Sequence, residues 1–179
     1  MKLDEVLAAL SSLARTGWML RGVPHPVAES VSEHLFASAL LAYEIALLAR
    51  RRGIRVDPER AMAIALVHDL AEAVIGDISK RAGLEEEKER AERAAFESLE
   101  VGEELRDLHR EYVRGESVEG TIAKIGDNLA TYLAAVRYRA LGYRVDDIAH
   151  GSIEKARRVA RDARMEDVLE EFLSRLSSR

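Results

Sequence analysis

ALVHDLAEAVIGDI, residues 65–78, is mostly Ala, Leu, Val and Ile, the composition of a helix built for the interior. Yet it holds one imidazole and three carboxylates, His68, Asp69, Glu72 and Asp77, within ten residues. A buried carboxylate without a partner costs several kcal/mol or gives up its charge. On a continuous helix, residues four apart stand on one face, so His68 and Glu72 would share one. Asp69 would lie about 100° round from His68, close enough to converge on the same point. A divalent cation answers the problem, because it neutralises carboxylates and takes a neutral imidazole as donor. The bland alternative is an N–H to carboxylate pair that settles a buried histidine.

Outward from this stretch, helix signals repeat and strand signals are nearly absent. Asp57-Pro58 opens the helix that carries the stretch, with an acid at the N-cap and Pro at the first helical position. Unbroken periodicity places its end at Gly76. Upstream, Ser30 with Glu33 three residues on forms a capping-box pattern, and the helix it opens runs to about Arg52 before Gly53. Leu3 to Ala14 is amphipathic, and RTGWMLRGVPHPVAES, residues 15–30, is a loop or broken turn. Downstream, helices are expected over Glu85 to about Val101, Glu103 to Val113, Ser117 to Leu141, Asp146 to Ala163 and Met165 to Leu176. The expected fold is an all-α, single-domain bundle of seven or eight helices over residues 1–179, with no internal repeat or dividing linker.

The 179 residues suit one core. No cysteine is present, which excludes disulfides, thiolate metal sites and a cysteine nucleophile. A formal net charge of -5 argues against a nucleic-acid polymer bound through bulk charge. MKLDEVLAAL has acids where a leader would be basic and then apolar, and no apolar run reaches the ~18 residues of a membrane span. The expected setting is cytoplasmic, away from membranes.

Two ligands hold a metal weakly, so others must come from elsewhere. His34 sits early in the preceding apolar helix, and Asp127 is a polar group inside an apolar pattern, KIGDNL, residues 124–129. His34, His68, Asp69 and Asp127 form an N2O2 set suited to Mn, Fe, Co, Ni, Zn or Mg with open positions. Taken singly, His34 reads as a first-turn residue, and Asp127 reads as a partner for Lys124 at i, i+3.

A lone His, an adjacent His-Asp and a distant Asp together resemble the HD-domain metal phosphohydrolases. Within them the chain is most similar to the 5′-deoxynucleotidases, the clade that includes the HD-domain-containing-protein-2 type. RTGWMLRGV (15–23), ESVSEH (29–34), ALVHDLAEAVIGDI (65–78) and KIGDNL (124–129) carry the resemblance, which covers a motif core of about 15–138. Helices over 146–176 would pack on that core. The resemblance implies that His34, His68, Asp69 and Asp127 ligate one divalent ion and that Glu72 is the acid or base beside a metal-held water. It implies that Asp77 contacts the substrate sugar. Some members carry an Arg-Trp pair in the first loop that contacts the nucleotide. Here the register differs, so Trp18 and Arg21, with Lys80, are candidate base or phosphate contacts. The bland readings are a core Trp18, solvated arginines and lysine, and Asp77 as a turn former or cap.

Dinuclear members recruit further histidines between the His-Asp pair and the last Asp. Only His109 lies there, in a charged amphipathic helix, so one metal is expected. The activity implied is hydrolysis of deoxyribonucleoside 5′-monophosphates by a homodimeric enzyme acting on a small nucleotide. The competing readings are an HD hydrolase of another nucleotide phosphate ester and a non-catalytic, metal-stabilised helical binding module.

Overall fold

The computed structural model describes residues 1–78 and 85–177. Among them are ten helices: α1 Leu3–Ser12, α2 Thr16–Met19, α3 Val31–Arg51, α4 Pro58–Val67, α5 Glu72–Ile75, α6 Glu85–Glu97, α7 Glu103–Arg114, α8 Val118–Ala140, α9 Asp146–Asp162 and α10 Glu166–Ser177. Eight have ten residues or more, and α2 and α5 are single turns of four. The described residues form no strand, only an isolated antiparallel bridge between Ala14 and Ser30.

The starts of the long helices follow local chemistry. Ser30 Oγ accepts the Glu33 N–H at 3.2 Å while Glu33 accepts the Ser30 N–H at 2.7 Å, the reciprocal capping box. Asp57 accepts the Arg60 N–H at 3.1 Å, with Pro58 at the first helical position. Ser117 caps α8 through the Gly120 N–H at 2.9 Å. Four orphan N–H groups open every helix, and these side chains satisfy some of them.

α3 and α8 form the centre. They pack on each other, α4 lies against both, and α9 runs along α8. Ile45, Ile64, Ile122 and Leu129 are fully sequestered in this core, and α10 closes it with Leu169. α3 is also long and apolar enough to cross a membrane, with a mean hydropathy of 1.4 over its most apolar window. Its polar residues break every continuous apolar run but leave that mean high. Half of that window is buried inside the protein, as suits the central helix of a packed bundle.

The helix expected to run unbroken to Gly76 does not. α4 stops at Val67, residues 68–71 form turns, and α5 begins at Glu72. Across the junction the N–H groups of Leu70, Glu72, Ala73 and Val74 bond to the carbonyls three residues back, at 3.3, 3.0, 3.2 and 3.0 Å. This is 3₁₀ pairing, which winds more tightly than α. His68, Asp69 and Glu72 therefore sit at a tightened joint between two helices, where the four-residue spacing of regular α geometry does not apply.

Candidate metal centre

Three elements deliver the polar groups. His34 comes from the first turn of α3, His68 and Asp69 from the α4–α5 joint, and Asp127 from the middle of α8. Their meeting depends on a close approach of α3 and α8. A Cβ on Gly126 would lie 2.8 Å from the Ser38 carbonyl oxygen and 3.0 Å from the Ala42 nitrogen, so only glycine lets the two backbones touch there. Asp127 is thereby brought to His34, one turn before Ser38.

Nitrogen or oxygen atoms of His34, His68 and Asp127 lie within 4.8 Å of one another. His34 Nε2 is 3.0 Å from Asp127 Oδ1 and 4.0 Å from Asp69 Oδ2. His68 Nε2 is 3.2 Å from Asp69 Oδ2 and 3.7 Å from Asp127 Oδ1. Both imidazoles are buried and the two rings meet edge-on, with centroids 5.4 Å apart.

The tautomer of His68 follows from its other nitrogen. Nδ1 lies 2.7 Å from the Ala65 carbonyl, which can only accept, so Nδ1 carries the hydrogen. The Nε2 lone pair then faces two carboxylates, and Nε2 is a buried atom with no hydrogen-bond partner. A lone pair aimed at two anions requires a proton or a metal cation. Without a metal, burial pulls the His68 imidazole down, but Asp69 and Asp127 outweigh it and lift it well above an ordinary histidine. Burial likewise pushes both carboxyl groups up. The His68 charge, with Arg15 and His34, nevertheless holds Asp69 far below the usual range, and the bond to His34 together with the His68 charge does the same for Asp127. His34 is shifted down, chiefly by burial and then by the Arg15 charge. Ionised carboxylates facing two buried imidazole nitrogens are the donor set of a divalent transition ion. The residues present fit such an ion, with His34, His68, Asp69 and Asp127 as the side chains that would hold it.

Neighbours complete the site. Arg15 Nη1 is 2.6 Å from Asp69 Oδ2 and 3.7 Å from Glu72 Oε2, at 18% side-chain exposure. Glu72 is 2% exposed at the head of α5. The Tyr112 phenol donates to Asp127 Oδ2 at 2.9 Å, and its ring lies 4.8 Å from that of His68. Burial, then the Asp127 and Asp69 charges, raise that phenol well above its ordinary value, so it remains a donor.

The other expected contacts fall elsewhere. Trp18 is 3% exposed, its ring 5.0 Å from that of Tyr138 and its indole N–H bonded to Glu29 at 2.9 Å. This is a core setting rather than a platform open to a base, because apolar packing and the one polar handle are both satisfied inside. Arg21 pairs with Asp147 in the first turn of α9, which commits it to tying the first loop to that helix. Asp77 accepts the Thr16 N–H at 2.5 Å through Oδ2, and its carbonyl accepts the Thr16 hydroxyl at 2.8 Å. It thus caps α2 and holds the first loop against the end of α5, where Gly76 turns the chain at a φ of 76°. Lys80 lies outside the described residues. His109 is buried with its ring stacked on Phe96 at 3.8 Å, apart from the ligand group.

Two residues near the centre carried no signal in the sequence. Tyr112 lies on a charged helix whose register against α8 is a tertiary fact. Glu29 precedes the α3 cap within ESVSEH, yet nothing local tells where its carboxylate points.

The chain matches the family described as HD domain over residues 7–169. It is 33% identical over 144 residues to a Danio rerio protein named 5′-deoxynucleotidase HDDC2, covering 76% of this chain and 68% of that one. It is 32% identical over 146 residues to the Homo sapiens protein of the same name, covering 78% and 68%. Among solved structures, the PH0347 protein of Pyrococcus horikoshii OT3 superposes with a TM-score of 0.82 at 33% identity, covering 96% of each chain. A match over nearly the whole length, joined to a His, His-Asp and Asp cluster drawn from three elements, places the chain in the HD-domain family.

Proposed function

We propose that this HD-domain protein is a metal-dependent phosphomonoesterase that hydrolyses deoxyribonucleoside 5′-monophosphates to deoxynucleoside and phosphate. The observation that carries the metal half is His68 Nε2, buried, unpartnered and aimed at two carboxylates. The substrate half is supported by relatives named 5′-deoxynucleotidase at 32–33% identity.

His34, His68, Asp69 and Asp127 would hold one divalent ion, which when bound would supply Lewis acidity and lower the pKa of a water. The chain's own groups do the rest. Arg15, charged and beside Asp69 and Glu72, offsets the charge of the phosphate oxygens. Glu72 carries the proton between the attacking water and the leaving 5′-oxygen as water oxygen bonds to phosphorus and the ester bond breaks. Tyr112 fixes the Asp127 carboxylate through its phenol. Asp77 borders the sugar while holding the first loop in place. The reading includes one domain over residues 1–179 and a cytoplasmic homodimer, for which Phe36 and Leu40, 64% and 48% exposed on α3, supply apolar surface.

The test is phosphate release from matched dNMP and NMP substrates with Mn, Co, Mg and Zn added in turn. Release from dNMPs in preference to NMPs is expected. Release only from other nucleotide esters assigns a different HD hydrolase, and none from any substrate assigns a metal-stabilised binding module.

A further inference from the structure

His34 differs from His68 in what stands behind it. His68 Nδ1 faces a backbone carbonyl at 2.7 Å. His34 Nδ1 is a buried atom without a hydrogen-bond partner, and the Glu29 carboxylate oxygen Oε1 stands 3.9 Å from it. His34 is fully buried and Glu29 is 7% exposed, so neither nitrogen nor carboxylate has ready recourse to water.

Glu29 is held from several sides. Its side chain accepts the Trp18 indole N–H at 2.9 Å. Its backbone N–H donates to the Tyr138 phenol oxygen at 2.7 Å, and the same phenol donates to the Val27 carbonyl at 3.1 Å. Its carbonyl accepts the Arg15 N–H at 2.9 Å. Trp18 in turn packs on Tyr138. A carboxylate fixed this firmly and aimed at a buried imidazole nitrogen does more than fill space.

We propose that Glu29 is the positioning residue of His34: held by Trp18 and Tyr138, its carboxylate accepts a hydrogen bond from the Nδ1–H and so presents the Nε2 lone pair to the ion. The inference rests on the metal reading above but not on the substrate. Closing the 3.9 Å separation to a hydrogen bond needs a shift of about 1 Å, within reach of small ring and side-chain rotations. An anionic acceptor on the far nitrogen raises the basicity of a ligating imidazole and fixes its tautomer, and loss of such a partner usually weakens metal binding 10–100-fold. It also gives Trp18 and ESVSEH a shared purpose: the indole that settles in the core there orients the group that orients the ligand.

The experiment measures metal binding without turnover. The protein is loaded with Co(II), its dissociation constant is taken by competition with a chelator, and its hyperfine-shifted, exchangeable ring N–H signals are recorded by NMR. The wild type is expected to show two such signals, one for each histidine. In Glu29→Gln one moves while the other, bonded to Ala65, stays, and Co(II) affinity falls about 10-fold. Trp18→Phe keeps an aromatic ring and removes only the N–H that holds Glu29; it is expected to move the same signal with a smaller loss, and it serves if Glu29→Gln does not fold. Unchanged affinity and unchanged signals in the folded variants overturn the proposal. Absent Co(II) binding by the wild type instead overturns the metal reading, and Co(II) binding without phosphate release overturns only the assigned activity.

Discussion

At the residue scale, Glu72 and His109 are two buried ionisable groups with opposite assignments. Glu72 lies 3.7 Å from Arg15 at the edge of the metal-ligand cluster and is the proton carrier of the proposed reaction. Glu72→Ala should lower kcat by about 10²–10⁴ while the purified protein keeps its metal, read by single-turnover phosphate release beside elemental analysis. Full activity in that variant would remove Glu72 from the chemistry. His109 is buried with its ring stacked on Phe96. In the metal-free protein, burial and then the nearby His68 charge lower its pKa from 6.5 to about 4. The unfolded chain therefore takes up a proton that the folded one refuses. The stability this gives is whole above pH 6.5 and disappears as pH falls through about 4, amounting to on the order of 3 kcal/mol. In His109→Phe, which keeps a stacked ring, urea melts of the chelator-treated protein between pH 6.5 and 4 should show a flatter decline than in the wild type. An equal slope in the two proteins would assign that acid sensitivity to other groups.

At the scale of elements, the centre exists because α3 and α8 touch at Gly126. Gly126→Ala would improve helix propensity by about 1 kcal/mol. It would also drive a methyl to 2.8 Å from the Ser38 carbonyl and 3.0 Å from the Ala42 nitrogen, both rigid backbone atoms. Overpacking of this kind costs about 1–3 kcal/mol, so a net loss of stability is expected. Because Asp127 is the next residue, metal affinity should fall further than the stability loss alone requires. Denaturant melts with a chelator titration check both, and a stabilised variant with unchanged affinity would show that the approach is not tight. The same elements show what local sequence can carry. Ser30, Asp57 and Ser117 mark the starts of α3, α4 and α8 because a cap is satisfied by residues three positions on. The convergence of His34, His68 and Asp127 is legible through the resemblance of the lone His, the His-Asp pair and the distant Asp to HD domains, since His34 taken singly reads as a first-turn residue and Asp127 as a partner for Lys124. The break after Val67 was not, since no Gly or Pro marks it. The tightening to 3₁₀ pairing accompanies the placement of His68 and Asp69 against groups from other helices, so it belongs to tertiary structure. The partners of Trp18, Arg21 and Tyr112 were hidden for a related reason: Glu29, Asp147 and Asp127 meet them only through the register of packed helices.

At the scale of the whole molecule, the candidate ligands tie α3, the α4–α5 joint and α8 together, the elements around which the core is built. An ion there acts as a cross-link between elements distant in sequence, and it binds the folded chain alone, because the unfolded chain has no assembled site. At a free metal concentration 100 times the dissociation constant, linkage adds about 2.7 kcal/mol to stability. For a chain of this size each kcal/mol moves the melting temperature by about 2–4 °C, so saturating Mn or Co should raise it by roughly 5–10 °C over the chelated protein. The control is Asp127→Asn, which keeps the shape of the side chain and the Tyr112 contact but removes one anionic donor. That variant should melt near the chelated wild type and gain little from added metal. A melting temperature indifferent to metal and chelator in the wild type would mean that no ion joins these helices, and the two imidazoles and two carboxylates would then be a buried charge network held by proton sharing alone.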